Sequence, residues 1–251
     1  MFTRAKTTAE LEAMRESGRM LATVLQLLKS KLAPGMSTKD LAILAAAELK
    51  KLGGEPTILG YQGFPDVICV SVNEEVVHGV PSEVKTIQTG DIVSLDFCVT
   101  YRRMVTDAAL SAIAGKPISQ KHTMLLRDTE RALLAGIGAV HDGVRTGDIG
   151  AVIENLLQRH GYGIVRDLVG HGVGHEMHED PNIPNYGQAN TGARLIKNMT
   201  IAIEPMVTLG ADRVYVAEDE WTVLTQDGSW AAHFEHTIAI TRDGAEILTQ
   251  L

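Results

Sequence analysis

The amino-acid sequence repeats a residue pattern at a distance of 108 positions. After that shift, five residues fall on residues of the same type: Gly35, Thr38, Asp40, Leu49 and Gly53 on Gly143, Thr146, Asp148, Leu157 and Gly161. Neighbouring apolar residues stay apolar, and Asp96 in one strand-like run falls on Glu204 in another. The repeat predicts two similar halves, roughly 1–110 and 111–251, within a single domain over residues 1–251. We expect acidic residues of both halves to meet at its centre.

Two helices are predicted in the first half. Thr7 and Glu10 have the spacing of a capping box, and apolar residues at helical spacing follow them. A second helix is predicted from about Ser37 to Gly53, because glycine commonly ends helices. Strand-like runs come after these helices, so each half combines two helices with part of a sheet. The predicted fold class is α+β.

Composition and charge exclude some classes of function. The formal net charge of −8 at pH 7 argues against broad, non-specific binding of nucleic acid. Cys69 and Cys98 lie in apolar runs, which predicts buried free thiols in a reducing compartment, with one disulfide as the alternative. The first residues lack the apolar core of a signal peptide, and no apolar run reaches membrane-spanning length. We therefore expect a cytoplasmic protein with no membrane partner.

Two aspartates of the first half are predicted to share one face of a hairpin. If Tyr101-Arg102 is a two-residue turn in GDIVSLDFCVTYRRMVTDAALSAI, Asp96 lies directly opposite Asp107. Like charges so placed are destabilising, and a shared proton or a bound divalent cation would offset them. The alternative is a pair of exposed carboxylates on a solvated face.

Two further carboxylates lie in apolar runs of the second half. Glu204 stands in TIAIEPM, where Pro205 ends the strand and aims the carboxylate; a buried ion pair with an arginine is the alternative. Glu235 shares a strand face with His233 in WAAHFEHTIAIT, while His236 lies on the other face. We interpret both histidines as structural residues rather than partners of the acidic ligands.

The glycine-rich segment GHGVGHEMHED, residues 170–180, adds a histidine to these carboxylates. Its glycines argue against a helix, so His171 and His178 are predicted on extended or loop backbone. The spacing of HEMH differs from the HExxH of zinc proteases, and the glycine spacing differs from that of dinucleotide-binding loops. His171 is therefore predicted to complete a site for two divalent metals, with Asp96, Asp107, Glu204 and Glu235. His78, at the end of an apolar run, carries no functional signal by itself.

Over nearly its whole length the chain resembles the type I methionine aminopeptidases of the pita-bread metallopeptidase group. The resemblance rests on motifs in the same order: ELEAMRESGRM, LGYQGFPDVICVSVNEEVVHGVP, GDIVSLD, GHGVGHEMHEDP, IAIEPM and FEHTIAIT. It implies one catalytic metallopeptidase domain whose pseudo-symmetric halves enclose a central curved antiparallel sheet, with helices outside. It implies metal ligands at Asp96, Asp107, His171, Glu204 and Glu235.

The resemblance also implies a reaction, in which two divalent ions (Co, Mn, Fe or Zn) activate the water that removes an N-terminal methionine. Glu204 would move the proton of that water, His178 would stabilise the oxyanion, and His78 would hydrogen-bond the substrate. Asp107 and Glu235 would bridge the two ions. The methionine pocket would be lined by Tyr61, Phe64, Cys69, Met177 and Trp221. The expected partners are nascent polypeptides or peptides that begin with methionine, with ribosome contact, and the expected state is a monomer.

The sequence departs from the family pattern around one ligand. Val105-Thr106 precedes Asp107 where relatives carry histidine-glycine, and Ala108 follows where they carry threonine. We expect Asp107 to bind metal with altered surroundings. Two alternatives share the fold: another pita-bread peptidase, such as a prolidase or Xaa-Pro aminopeptidase, and a non-catalytic binding protein. The first group carries an additional N-terminal domain, and the second loses metal ligands.

Overall fold

The computed structural model describes residues 3–251, which form four α-helices and fifteen strands. The helices are α1 (Thr8–Lys31), α2 (Thr38–Leu52), α3 (Gln120–Gly138) and α4 (Thr146–Gln158). The strands of the first half are β1 (Glu55–Pro56), β2 (Cys69–Val72), β3 (Glu75–Val77), β4 (Ile92–Tyr101) and β5 (Met104–Ile113). Those of the second half are β6 (Gly163–Ile164), β7 (Gly170–Gly172), β8 (Glu179–Ile183), β9 (Thr200–Ile203), β10 (Met206–Thr208), β11 (Val214–Val216), β12 (Val223–Thr225), β13 (Ala231–His233), β14 (His236–Ile240) and β15 (Ala245–Ile247).

The first two helices begin where the sequence predicts, and α2 also ends at the predicted glycine. Thr7 and Glu10 form the capping box of α1, since each side chain hydrogen-bonds the main-chain N–H of the other. Ser37 caps α2 in the same way, and Gly53 follows that helix with a φ of 84°. A positive φ suits glycine, which carries no Cβ to clash with the preceding turn.

The sequence repeat is matched by equivalent main-chain hydrogen bonds. Gly35 N–H donates to Ile87 O over 2.8 Å, and 108 residues later Gly143 N–H donates to Leu195 O over 2.8 Å. Both glycines have a φ of +91°. An isolated bridge joins Ser37 to Thr86 in the first half and Arg145 to Arg194 in the second. The 108-residue shift therefore relates loops as well as helices.

The long hairpin of β4 and β5 carries both aspartates, but its register differs from the predicted one. Tyr101 pairs with Met104, so the turn is Arg102-Arg103 and the prediction of a Tyr101-Arg102 turn is wrong. Arg102 and Arg103 have φ values of 48° and 66°, as a type I′ turn requires at both central positions. As a result Cys98, rather than Asp96, lies opposite Asp107. The two aspartates occupy diagonal positions on the same face.

The hairpin joins the second half through β5. Glu235 N–H donates to Ala109 O over 2.9 Å, and Asp107 N–H donates to Thr237 Oγ1 over 2.9 Å. Thr237 lies on β14, which belongs to the five-stranded sheet β15-β14-β9-β7-β8. These contacts bring the acidic face of the hairpin against the sheet of the other half.

Helices pack on antiparallel sheets around a shared core, which confirms the predicted α+β class. Helix α1 contacts β4 and β5, and α3 contacts α4 and β13. The main apolar cluster contains side chains of both halves. Cys69 and Cys98 are buried free thiols, as predicted. Among residues 3–251, no helix is both long and apolar enough to cross a membrane.

Candidate metal centre

Five candidate ligands converge where the two halves meet. The first half supplies Asp96 from β4 and Asp107 from β5, and the second supplies His171 from β7. Glu204 directly follows β9, where Pro205 interrupts the strand, and Glu235 lies between β13 and β14. Each of the five residues is at most 9% exposed. All five line one cavity of about 40 Å³.

Distances within this group match a shared cation. His171 Nε2 lies 3.5 Å from Glu204 Oε1 and 4.0 Å from Asp107 Oδ2. One potential ligand atom from each of Asp107, His171 and Glu235 lies within 4.8 Å of the others. Ligand atoms bound at about 2.0–2.2 Å to one cation are separated by such distances.

Burial makes the charged form of the four carboxylates unfavourable. It raises the pKa of Asp96, Asp107, Glu204 and Glu235, and the charge of Asp107 adds to the effect on Asp96 and Glu235. Within residues 3–251, no lysine or arginine nitrogen lies within 4.0 Å of any of these carboxylates. The alternatives of a buried arginine pair for Glu204 and of solvated aspartates are therefore wrong.

The donor set fits divalent cations. Asp107 Oδ1 and Glu235 Oε1 are buried and have no hydrogen-bond partner among the described residues, although buried polar atoms normally find one. Hard carboxylate oxygens with an imidazole nitrogen suit Mn, Fe, Co or Zn. A cation would satisfy the unpartnered oxygens and offset the repulsion among the carboxylates.

His171 is oriented by its own strand. Its Nδ1 lies 2.9 Å from Gly172 O, and because a carbonyl only accepts, Nδ1 carries the proton and donates it. Nε2 is then the unprotonated nitrogen that faces Glu204 and Asp107. Burial lowers the pKa of His171 to about 3, which keeps the ring neutral as metal binding requires. The prediction of extended backbone for His171 is confirmed.

Two further histidines border the cavity where it opens. His78 and His178 line both the cavity and an adjoining cleft of about 370 Å³, which Glu204 and His171 also line. The rings of His171 and His178 are 4.5 Å apart, and His178 Nδ1 lies 3.2 Å from the Tyr61 hydroxyl. Burial lowers the pKa of His78 to about 4 and also lowers that of His178. Both rings are neutral near pH 7 and can donate a hydrogen bond into the cleft.

The predicted pocket residues form two apolar groups, and of the five only Met177 lines the cavity. Phe64 and Trp221 meet edge to face at 5.1 Å and cluster with Cys69, while Met177 lines the cavity and clusters with Tyr61. Ile58 and Cys98 also line the cavity, and the sequence did not single them out as lining residues. Strand alternation with Asp96 is the signal that could have found Cys98.

His233 is the site residue whose position departs most from its predicted structural role. Its Nε2 lies 3.5 Å from Glu204 Oε2 and 3.9 Å from Glu235 Oε2. His236, in contrast, places Nδ1 2.9 Å from Thr249 Oγ1, as a structural residue would. The shared strand face of His233 and Glu235 was the signal in the sequence.

Comparison with known proteins identifies the family to which this group of carboxylates and histidines belongs. The model of metallopeptidase family M24 matches residues 12–242. The chain belongs to metallopeptidase family M24. Methionine aminopeptidase 1 of Bacillus subtilis is 44% identical to it over 98% of this chain and 98% of its own length. The crystal structure of methionine aminopeptidase from Thermotoga maritima has a TM-score of 0.98 and 45% identity, with 100% of both chains covered.

Membership of family M24 makes the chain a metal-dependent hydrolase that uses divalent metal. The identity to methionine aminopeptidases over nearly the full length confirms the predicted resemblance to them. A prolidase of Pyrococcus furiosus shares the fold alone, with a TM-score of 0.78 and 23% identity over 98% of this chain and 65% of its own. The predicted pita-bread fold is thereby confirmed.

Proposed function

We propose that this family M24 enzyme removes N-terminal methionine from nascent proteins or peptides at a centre of two divalent cations. The observation that carries the proposal is the convergence of four carboxylates and His171 in one buried cavity that adjoins a cleft. The high identity to methionine aminopeptidases supports the choice of substrate. Asp96, Asp107, His171, Glu204 and Glu235 would hold the cations, with Asp107 and Glu235 shared between them.

The catalytic step follows from the charges around the cavity. When bound, the cations lower the pKa of a water molecule and polarise the substrate carbonyl. Glu204 is placed to accept the proton of that water, because its carboxylate lines both the cavity and the cleft. It then passes the proton to the leaving amine.

Two neutral histidines donate hydrogen bonds to the substrate. His178 donates a hydrogen bond to the developing oxyanion, with the Tyr61 hydroxyl 3.2 Å from its other ring nitrogen. His78, which also faces the cleft, hydrogen-bonds the substrate near the scissile bond. Tyr61, Phe64, Cys69, Met177 and Trp221 form the methionine pocket, whose apolar and sulfur-containing surface suits a thioether.

We further propose that residues 1–251 act as one catalytic domain, as a cytoplasmic monomer that receives chains at the ribosome. Two buried free thiols support a reducing compartment. Sedimentation of the purified protein tests the monomer, and co-sedimentation with ribosomes tests the contact.

Cleavage of matched peptides tests the proposed function. We expect the purified protein to release methionine from Met-Ala-Ser and to leave Ala-Pro-Ala intact. A chelator should abolish the reaction, and Co, Mn, Fe or Zn should restore it to different extents. Preference for Ala-Pro-Ala would identify an Xaa-Pro peptidase instead, and metal binding without cleavage of either peptide would identify a binding protein.

A further inference from the structure

His233 lies directly against two of the candidate metal ligands. It is 1% exposed, at the end of β13, and its Nε2 approaches Glu204 to 3.5 Å and Glu235 to 3.9 Å. Potential ligand atoms of His233, Glu204 and Glu235 all lie within 4.8 Å of one another. This group shares Glu235 with the one formed by Asp107, His171 and Glu235.

The ring nitrogens of His233 lack any hydrogen-bond partner in the part of the chain that the structure describes. A buried, unpaired polar group costs about 1–3 kcal/mol, so an imidazole is rarely kept in this state. The distances of 3.5 and 3.9 Å from Nε2 to the two carboxylates are too long for good hydrogen bonds. The shorter one matches the separation of about 3–3.5 Å between two atoms that bind one cation at about 2.0–2.2 Å.

The main chain of His233 is held in place from the other half of the molecule. Ser111 Oγ donates to His233 O over 2.9 Å and accepts from His233 N–H over 2.9 Å. Ser94 Oγ lies 2.7 Å from Ser111 Oγ and completes this chain of hydroxyl groups. Anchoring of this kind fixes the direction of a side chain, as a ligand position requires.

We propose that His233 is a sixth protein ligand of the metal centre and binds, through Nε2, the cation held by Glu204 and Glu235. This inference rests on the proposed dinuclear centre. The second half would then supply two imidazole ligands, His171 and His233. The ligand set on that side would contain more nitrogen than the ligand set on the side of Asp96. The nitrogen-rich side favours borderline metals such as Zn and Co over Mn.

Cobalt(II) is a direct probe of this assignment. Paramagnetic cobalt shifts the N–H proton of each bound imidazole far outside the normal proton spectrum, so bound histidines can be counted. With two equivalents of cobalt and ¹⁵N-labelled histidine, we expect two such signals in the unsubstituted protein. His233→Gln and His171→Gln should each retain one signal, and the matched control His236→Gln should retain two.

Cobalt affinity, measured by competition with a chelating dye, supplies a second readout. We expect His233→Gln to weaken binding of one cobalt by at least about tenfold, because even loss of a group that supports a ligand costs 10–100-fold. One shifted signal in the unsubstituted protein would overturn the inference, whatever the stability of the variant. So would two signals in His233→Gln, even with weaker binding, since His233 would then only position Glu204. Failure of the unsubstituted protein to bind cobalt would overturn the proposed function itself.

Discussion

Glu204 is the single residue on which the proposed chemistry depends most. It lines both cavity and cleft, and Glu204→Gln keeps its size while removing its charge and its ability to accept a proton. General-base catalysis contributes about 10²–10⁴-fold, so we expect Met-Ala-Ser turnover to fall at least about a hundredfold. Exposed Glu218→Gln is the matched control and should keep full activity. Near-normal cleavage by Glu204→Gln would remove Glu204 from its catalytic role.

The same carboxyl group makes the stability of the metal-free protein depend on pH. Burial raises the pKa of Glu204 from 4.5 to about 8, so the folded state keeps a proton that the unfolded state loses. Its contribution is fully present below pH 4.5 and is lost as pH rises towards 8. Each retained proton changes the free energy of unfolding by about 1.4 kcal/mol per pH unit.

We therefore expect Glu204→Gln to be more stable than the unsubstituted protein in chelator, by an amount that grows from pH 5 to 8. Urea unfolding of both proteins at several pH values measures this difference, in which the contributions of the buried histidines cancel. A difference that is constant with pH, or that shrinks as pH rises, would contradict the raised pKa.

At the scale of elements, a buried ion pair holds the turn that carries His178. Lys6 Nζ lies 3.2 Å from Glu179 Oε2, and both side chains are at most 1% exposed. Glu179 Oε1 accepts the N–H groups of His175 and Glu176 at 2.7 and 3.1 Å. The segment before α1 is thereby attached to the glycine-rich loop.

Glu179→Gln should destabilise this loop, because it leaves the Lys6 charge buried without a partner. Breaking a buried pair costs about 3–5 kcal/mol, so we expect a lower Tm and a lower kcat. Exposed Glu176→Gln is the control and should change neither. Adding Lys6→Met to Glu179→Gln should recover most of the Tm, measured by calorimetry. No recovery in the double variant would mean that the N–H bonds to Glu179, not the ion pair, hold the turn.

The hairpin of β4 and β5 shows what the sequence can predict of an element. Strand alternation correctly put Asp96 and Asp107 on one face, but the turn was misplaced by one residue. Hairpin turns with positive φ usually contain asparagine or glycine, and Arg102-Arg103 contains neither. Helix ends were predictable because capping is local: Thr7, Glu10 and Gly53 each act within one turn.

The observed Arg102-Arg103 turn leads to a prediction about stability. Arg103 has a φ of 66°, a left-handed conformation that costs a residue with a Cβ about 1–2 kcal/mol. Arg103→Gly should therefore raise Tm, with no change in kcat, since Arg103 is exposed and far along the hairpin from Asp96. Thermal unfolding of Arg103→Gly beside Arg103→Ala measures the effect. Equal Tm values for the two variants would show that the turn is unstrained.

At the scale of the whole molecule, the metal centre is shared between the two halves. Asp96 and Asp107 come from the first half, and His171, Glu204 and Glu235 come from the second. The repeat predicted this meeting, because the 108-residue shift places Asp96 on Glu204, although Asp96 lies within β4 and Glu204 directly follows β9. Strand alternation put His233 on the same face as Glu235, but its approach to Glu204 could not be predicted, because its main chain is held by Ser111 of β5, 122 residues away.

A centre shared in this way should join both halves into one unfolding unit. The two tryptophans, Trp221 and Trp230, lie in the second half, whereas far-UV circular dichroism reports the helices of both halves. We expect urea transitions followed by fluorescence and by circular dichroism to coincide, because the main apolar core spans both halves.

Metal at about 100 times its Kd should then raise the free energy of unfolding by about 2.7 kcal/mol for each independent site, equally by both probes. Asp96→Asn changes the first half and Glu235→Gln the second, yet either one should reduce this metal-dependent gain in both signals. A variant that lowers the gain in the circular dichroism signal but not in the fluorescence signal would show that the halves unfold separately. In that case the cations would bind to one half alone. That result would contradict a metal centre whose ligands come from both halves.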